Sequence, residues 1–148
     1  MITQKAKYAL KALVALGRAD GTGPLSIRDI ATSEGIPQSF LEQILIELRR
    51  AGVIQSRRGK DGGYLLAAPA AEIGLGRVLR LIDGPLAPLP CLSRTAYRKC
   101  GDCADEGSCT VRRILSEMYE ATVEILDRTT LQDALVAPEP TQALVAGE

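Results

Sequence analysis

The residues of this chain best equipped for chemistry lie in one stretch, Cys91 to Cys109, which reads CLSRTAYRKCGDCADEGSC. All four cysteines of the 148-residue chain fall there, at Cys91, Cys100, Cys103 and Cys109, in the spacing C-x8-C-x2-C-x5-C. Cys100 and Cys103 are close enough in sequence to chelate one metal atom. Four thiolates suit an iron–sulfur cluster, 2Fe–2S or 4Fe–4S, or a tetrahedral zinc. The same thiols also suit reversible oxidation, including disulfide formation. Cys109 stands just before a helical pattern, where the N-terminal dipole favours a thiolate. Arg94, Arg98, Lys99, Arg112 and Arg113 surround the cysteines with positive charge that offsets thiolate ligands.

The chain contains no histidine. That removes histidine metal ligands, histidine pH switching and histidine-based catalysis. No familiar nucleophile–base pair can then be assembled, so an enzyme is a poor reading. Hydrophobic residues make up 46% and charged residues 24%, the proportions of an ordinary globular protein. Aromatics are 3%, so the core must be built from Leu, Ile, Val and Ala. No apolar run reaches the roughly 18 residues of a membrane span, and the N-terminus has no secretory pattern. The expectation is a cytoplasmic protein without a membrane partner. In that compartment clustered cysteines point to metal or redox chemistry before structural disulfides. The zero net charge hides an asymmetry: residues 1–66 carry ten basic and six acidic side chains, a balance of +4, and the remainder carries −4. A basic front half suits a polyanion.

The elements that must position the thiols follow from local patterns. Thr3 caps a first helix running to about Arg18, largely buried through Ala6, Tyr8, Ala9, Leu10, Leu13, Val14 and Leu16, with Lys5, Lys7 and Lys11 on its wet side. Ser26 and Asp29 resemble a capping box for a short second helix, Ile27 to Ser33, which Gly35 stops. Pro37 opens a third helix that buries Phe40, Leu41, Ile44, Leu45 and Leu48 and ends at Gly52. Two helices around a tight turn form a helix-turn-helix pattern. The exposed Gln38, Ser39, Glu42 and Gln43 at the start of the second have the hydrogen-bonding side chains that read base edges. Alone, the same face would suit an ordinary amphipathic helix. The segment VIQSRRGKDGGYLLA then predicts strands over Val53–Ser56 and Tyr64–Ala67, joined by a glycine-rich turn that carries Arg57, Arg58 and Lys60. This is a wing, although an ordinary hairpin would share its pattern. It lacks the phosphate-loop motif of nucleotide-binding proteins.

Leu75, Val78, Leu79 and Ile82 mark one face of a fourth helix closed by Gly84, and Pro85, Pro88 and Pro90 make an extended connector. After the cysteines, the spacing predicts one helix from Thr110 to Ala134, roughly 37 Å long at ~1.5 Å per residue. Val111, Ile114, Leu115, Met118, Ala121, Thr122, Ile125 and Leu126 form a near-heptad stripe suited to a second chain, and Glu117, Glu120, Glu124 and Arg128 fill the other face.

The opening ITQKAKYALKAL, the run from LSIRDIA through IPQSFLEQILIELRRAGVIQSRRGKDGGYLLA, and a cysteine-rich loop followed by a long helix together resemble the Rrf-two family of winged-helix regulators, which includes IscR and NsrR. The resemblance covers nearly the whole chain. It implies a homodimeric bacterial transcription regulator bound to a double-stranded DNA operator. By that analogy Arg28, Gln38, Ser39 and Gln43 contact the operator, and Arg57, Arg58 and Lys60 its backbone or minor groove. In cluster-bearing members three cysteines ligate and the fourth ligand varies. Cys103 and Cys109 fit the last two, and Cys91 is the expected first, although its gap to Cys103 is longer than the family's. IscR-like members have a histidine three residues after the last cysteine, where this chain has Arg112. NsrR-like members use an acidic residue on the first helix, at about Lys7 here. These departures favour an all-cysteine site of Cys91, Cys100, Cys103 and Cys109, with Asp102, Asp105 or Glu106 as weaker candidates.

The expected architecture is mainly α with a small β-hairpin wing. Residues 1–84 are a winged helix-turn-helix DNA-binding domain, 85–109 a cysteine-rich sensor loop, 110–134 a dimerisation helix and 135–148 a disordered tail. The expected function is a homodimeric DNA-binding regulator that senses iron–sulfur, redox or nitric oxide status through a cysteine-ligated cluster. The alternatives are a thiol-redox or zinc-responsive regulator without a cluster and, further off, an electron carrier or scaffold that does not bind DNA.

Overall fold

The computed structural model describes residues 2–136. Helix α1 spans Gln4–Arg18, and the Thr3 hydroxyl caps it by accepting from the Ala6 backbone N–H. Its inner face is Ala6, Ala9, Ala12, Leu13, Ala15 and Leu16. Tyr8, Leu10 and Val14, expected inside, lie at its half-buried edges. The small alanines win the centre because they let neighbouring helices approach closely.

Helix α2 spans Ile27–Glu34 and carries both arms of the expected capping box: Asp29 N–H donates to Ser26 Oγ at 3.1 Å, and Ser26 N–H to Asp29 Oδ2 at 3.3 Å. Gly35, at φ 64°, takes the left-handed conformation that stops the helix. Helix α3 runs Gln38–Arg50, with Pro37 as the capping residue just outside it, one place earlier than expected. Leu41, Ile44, Leu45 and Leu48 are buried, but Phe40 is 40% exposed. Phe40 instead packs edge-on against Tyr8, ring centroids 5.6 Å apart, at the shoulder between α1 and α3.

Strands β1 (Ile54–Arg57) and β2 (Gly63–Leu66) form an antiparallel hairpin, in register Ile54↔Leu66 through Arg57↔Gly63. Each is one residue away from the expected span. The backbone of Leu25, just before α2, exchanges two hydrogen bonds with Tyr64, at 2.8 and 3.0 Å. The hairpin is thus tied to the helix-turn-helix. A short 3-10 turn, Ala70–Glu72, leads into helix α4, Leu75–Asp83, with Val78 and Leu79 buried. A second 3-10 turn, Pro90–Leu92, interrupts the expected extended connector.

The long helix predicted to reach Ala134 is two helices, α5 (Thr110–Arg128) and α6 (Leu131–Val136). The break has a local cause. Thr130 and Asp133 form their own reciprocal cap: Asp133 N–H donates to Thr130 Oγ1, and Thr130 N–H to Asp133 Oδ2. It also has a tertiary cause. Leu75 N–H donates to Thr129 O and Leu131 N–H to Ile73 O, which pins the break to the start of α4. Helix α5 is therefore shorter, roughly 28 Å at ~1.5 Å per residue. Helix α6 turns back onto α1 and buries Leu131 completely. Of the tail expected to be disordered, 135–148, Leu135 and Val136 belong to α6, and the rest lies outside the described residues.

Truncation of Leu131 removes a fully buried side chain from the point where α6 locks onto the domain. Leu131→Ala is expected to cost about 3 kcal/mol of unfolding free energy, the middle of the range for buried Leu→Ala. Urea denaturation followed by circular dichroism measures it, and a loss under about 1 kcal/mol would contradict this packing.

Candidate nucleic-acid interface and cysteine pocket

The first site is a polar surface on the front half. Arg28, Gln38, Ser39, Glu42, Gln43, Arg57, Arg58 and Lys60 are all exposed. Gln38, Ser39, Glu42 and Gln43 occupy the first two turns of α3, whose opposite face is fixed by Leu41, Ile44, Leu45 and Leu48. Among the described residues no ion pair neutralises Arg28, Arg57, Arg58 or Lys60. The wing's attachment depends on Gly63, at φ 151°, where a Cβ would collide with the carbonyl of Leu25. No sequence signal points to that contact, because its partner lies far back in the chain.

The second site gathers the thiols. Cys91, Cys100, Cys103 and Cys109 line one pocket of about 330 Å³ together with Leu89, Asp102, Asp105, Val111 and Arg112. Cys91 is buried on the 3-10 turn that packs against α5, and the other three are half-buried. Cys109 caps α5: its sulfur accepts from the Arg112 backbone N–H at 3.4 Å. Burial pushes the Cys100 thiol above its ordinary value, helped by hydrogen bonding to Cys91. Burial also raises Cys103, partly opposed by Lys99. Two contacts that sequence reasoning missed hold the loop. Tyr97 Oη donates to Glu106 Oε1 at 2.6 Å, and Arg94 pairs with Glu120 on α5. Hydrogen bonds from Ser108 and the Gly107 backbone lower Asp105 below its ordinary value and tie its carboxylate into the turn.

The donor set fits iron–sulfur or zinc in its chemistry: four soft sulfurs face one volume. As they stand, no three Cys, Asp or Glu side chains among the described residues converge closely enough to grip an ion.

The third feature is the division of α5. Tyr119 and Val123 are buried against the protein's own domain, and Leu115 and Leu126 are half-buried on that side. Val111, Ile114, Met118 and Ile125 are each more than half exposed. The near-heptad stripe is thus two edges, one used internally and one left open. No helix among the described residues is long and apolar enough to cross a membrane.

Residues 2–137 match the family model Rrf2, described as an iron-dependent transcriptional regulator. The chain is 47% identical over 148 residues to an rrf2-like HTH-type transcriptional regulator of Rhodobacter capsulatus, covering 98% of this chain and 99% of that one. It is 31% identical over 130 residues to the HTH-type transcriptional regulator IscR of Klebsiella pneumoniae, covering 88% of this chain and 76% of the relative. Among solved structures it resembles CymR, the global cysteine regulator of Bacillus subtilis, with a TM-score of 0.79 and 30% identity over 94% of this chain and 98% of that chain. The winged-helix architecture read from the sequence is that of these neighbours.

The raised thiols make a measurable demand on pH. A thiol reacts as its thiolate, so a raised Cys100 or Cys103 stays protonated at neutral pH and loses its proton only above the ordinary value of 9.0. Single-cysteine variants that retain Cys100 or Cys103 are expected to react with iodoacetamide more slowly than a free cysteine peptide near neutrality. The gap should close in strongly alkaline buffer. Equal rates near neutrality would show that burial does not act on these thiols.

Proposed function

The chain belongs to the Rrf2 family of transcriptional regulators, which are DNA-binding proteins and not enzymes, and on that premise we propose that it is a homodimeric cytoplasmic repressor or activator whose cysteine pocket senses iron–sulfur, redox or nitric oxide status. The observation that carries this reading is that all four cysteines line one pocket at the start of α5. The family's description as iron-dependent adds to it. Cys91, Cys100, Cys103 and Cys109 would hold the group. When bound, an iron–sulfur group supplies reversible electron uptake and reactivity toward oxygen and nitric oxide.

The DNA part of the proposal rests on the exposed face of α3 and on the wing. Gln38, Ser39, Glu42 and Gln43 would meet base edges in the major groove, and Arg28, Arg57, Arg58 and Lys60 the backbone or the minor groove. The dimer part rests on the open edge of α5, where Val111, Ile114, Met118 and Ile125 leave an apolar stripe suited to a second copy. Residues 1–84 then act as the reader, 85–109 as the sensor and α5 as the pairing helix. Closing the thiols on a ligand would order the loop, and α5 would pass that change to the spacing of the two readers.

A second reading has its own observation. Cys91 and Cys100 line the same pocket, so oxidation to a disulfide would change the same loop without any metal. The resemblance to CymR, described as a cysteine regulator, favours thiol-based sensing. A structural zinc is the remaining option for four thiols.

Elemental analysis and an absorption spectrum on anaerobically prepared protein test the first reading. Iron and inorganic sulfide with visible absorption, lost in Cys103→Ala and bleached by nitric oxide, are expected. Colourless protein with one zinc per chain would sink it. Fluorescence anisotropy on a palindromic duplex tests the rest. Arg58→Ala should weaken binding to every sequence and reduce the salt slope by about one, whereas Gln38→Ala should change which sequence is preferred. Met118→Glu should yield a monomer in sedimentation and lose the two-site mode of binding. A Gln38→Ala effect that is uniform across sequences would refute the base-reading role.

A further inference from the structure

One buried group on a residue of the cysteine pocket has no hydrogen-bond partner among the described residues. The Arg112 Nε atom is shielded from solvent and, among the described residues, meets no hydrogen-bond acceptor. Its residue lines the pocket together with all four cysteines. Its backbone N–H already binds the sulfur of Cys109, so the two residues share the first turn of α5, and Arg112 also borders a neighbouring pocket with Glu106 and Glu117. Other cations of the segment are placed differently. Arg94 is engaged by Glu120, and Arg98, Lys99 and Arg113 are exposed. A buried N–H without an acceptor is an uncommon and destabilising arrangement, and native proteins that keep one usually have a use for it.

The missing partner must accept a hydrogen bond, tolerate burial and sit among thiols. A sulfur atom of an anionic metal–thiolate group meets all three conditions. Hydrogen bonds and positive charge directed at cluster sulfurs stabilise the more reduced, more negative state and so raise the reduction potential. We propose that Arg112 is the positioning residue of the sensor: its Nε–H donates to a sulfur of the cysteine-bound group, holds that group in the pocket and raises its reduction potential. The inference rests on the metal-sensing reading above. It assigns Arg112 a role beside the ligands, not as a ligand, because a guanidinium stays protonated and offers no lone pair to a metal.

The test uses the full chain, reconstituted anaerobically with iron and sulfide, as wild type, Arg112→Gln and Arg112→Lys. Iron content, the dye-mediated reduction midpoint and the rate of iron release to a chelator are measured, with circular dichroism as a check on folding. All three proteins should load the same iron, because all four thiols remain. Arg112→Gln should show a lower midpoint and several-fold faster iron release. Arg112→Lys, which keeps the charge but not the Nε–H, should fall between them and serves as the working variant if the Gln form is poorly folded. Iron-loaded variants with the wild-type midpoint and release rate would overturn the role of Arg112 and leave the sensor reading standing. A wild-type chain that takes up no iron would overturn both.

Discussion

The structure depends on the alanine-rich face of α1. Ala6, Ala9, Ala12 and Ala15, with Leu13 and Leu16, are buried together, and α2, α3, α4, α6 and β2 all pack against this helix. Alanine sets this arrangement because it has no side chain beyond Cβ, so several neighbours can approach one helix at short range. With few aromatics available, the volume of the core comes from the surrounding Leu, Ile and Val residues. Lys5 and Lys11 at the rim of the same helix reach Glu47 on α3 and Glu34 on α2. These are partly exposed pairs, worth little in stability, but they orient the two helices of the helix-turn-helix around one axis.

The second dependence is the anchoring of α5 at its C-terminal end. The backbone bonds from Leu75 to Thr129 and from Leu131 to Ile73 fix that end to the domain, and Arg80 reaches Asp127 at 2.6 Å to reinforce it. At the other end the helix begins at a cysteine. On the proposed reading, a stiff helix held at one end and carrying the sensor group at the other would act as a lever, and a small displacement at Cys109 would be expressed along the open edge of α5. Had the helix run unbroken to Ala134, as its pattern suggested, Leu131 could not have entered the core and this anchor would not exist.

How much of this was legible depends on how local each cause is. The Ser26–Asp29 cap, the left-handed Gly35 and the glycine-rich wing rest on a few adjacent residues, and the sequence displays them directly. The break between α5 and α6 was legible in part. Thr130 and Asp133 repeat the spacing of Ser26 and Asp29, and the same capping rule would have found them, but the continuing apolar period masked the signal. Phe40 was misplaced because periodicity assigns it a position beside Leu41 and cannot foresee Tyr8 arriving from α1. The Leu25–Tyr64 bridge and the burial of Tyr119 depend on contacts between distant parts of the chain, which no local pattern encodes. The clustering of the four cysteines is plain in the sequence, and their reading as one ligand set comes from the departures from the family's pattern at Arg112 and Lys7. That they share one pocket follows from tertiary structure, since the packing of the Pro90–Leu92 turn against α5 brings Cys91 back to Cys109.

That packing also explains why the loop suits a switch. Its two outer thiols are held by the fold: Cys91 is buried in a turn against α5, and Cys109 caps α5 itself. Cys100 and Cys103 lie between these fixed ends, attached to the rest through contacts such as Tyr97–Glu106 that are exposed to solvent. Any bond that joins the inner thiols to the outer ones, through a metal or through a disulfide, removes freedom from the middle of the loop while its ends stay in place. The resulting free-energy change cannot be dissipated at the ends. It would act on α5, whose first turn carries Arg112 and is capped by Cys109. On the proposed reading, sensing and transmission would be concentrated in the four residues from Cys109 to Arg112, along one helical turn.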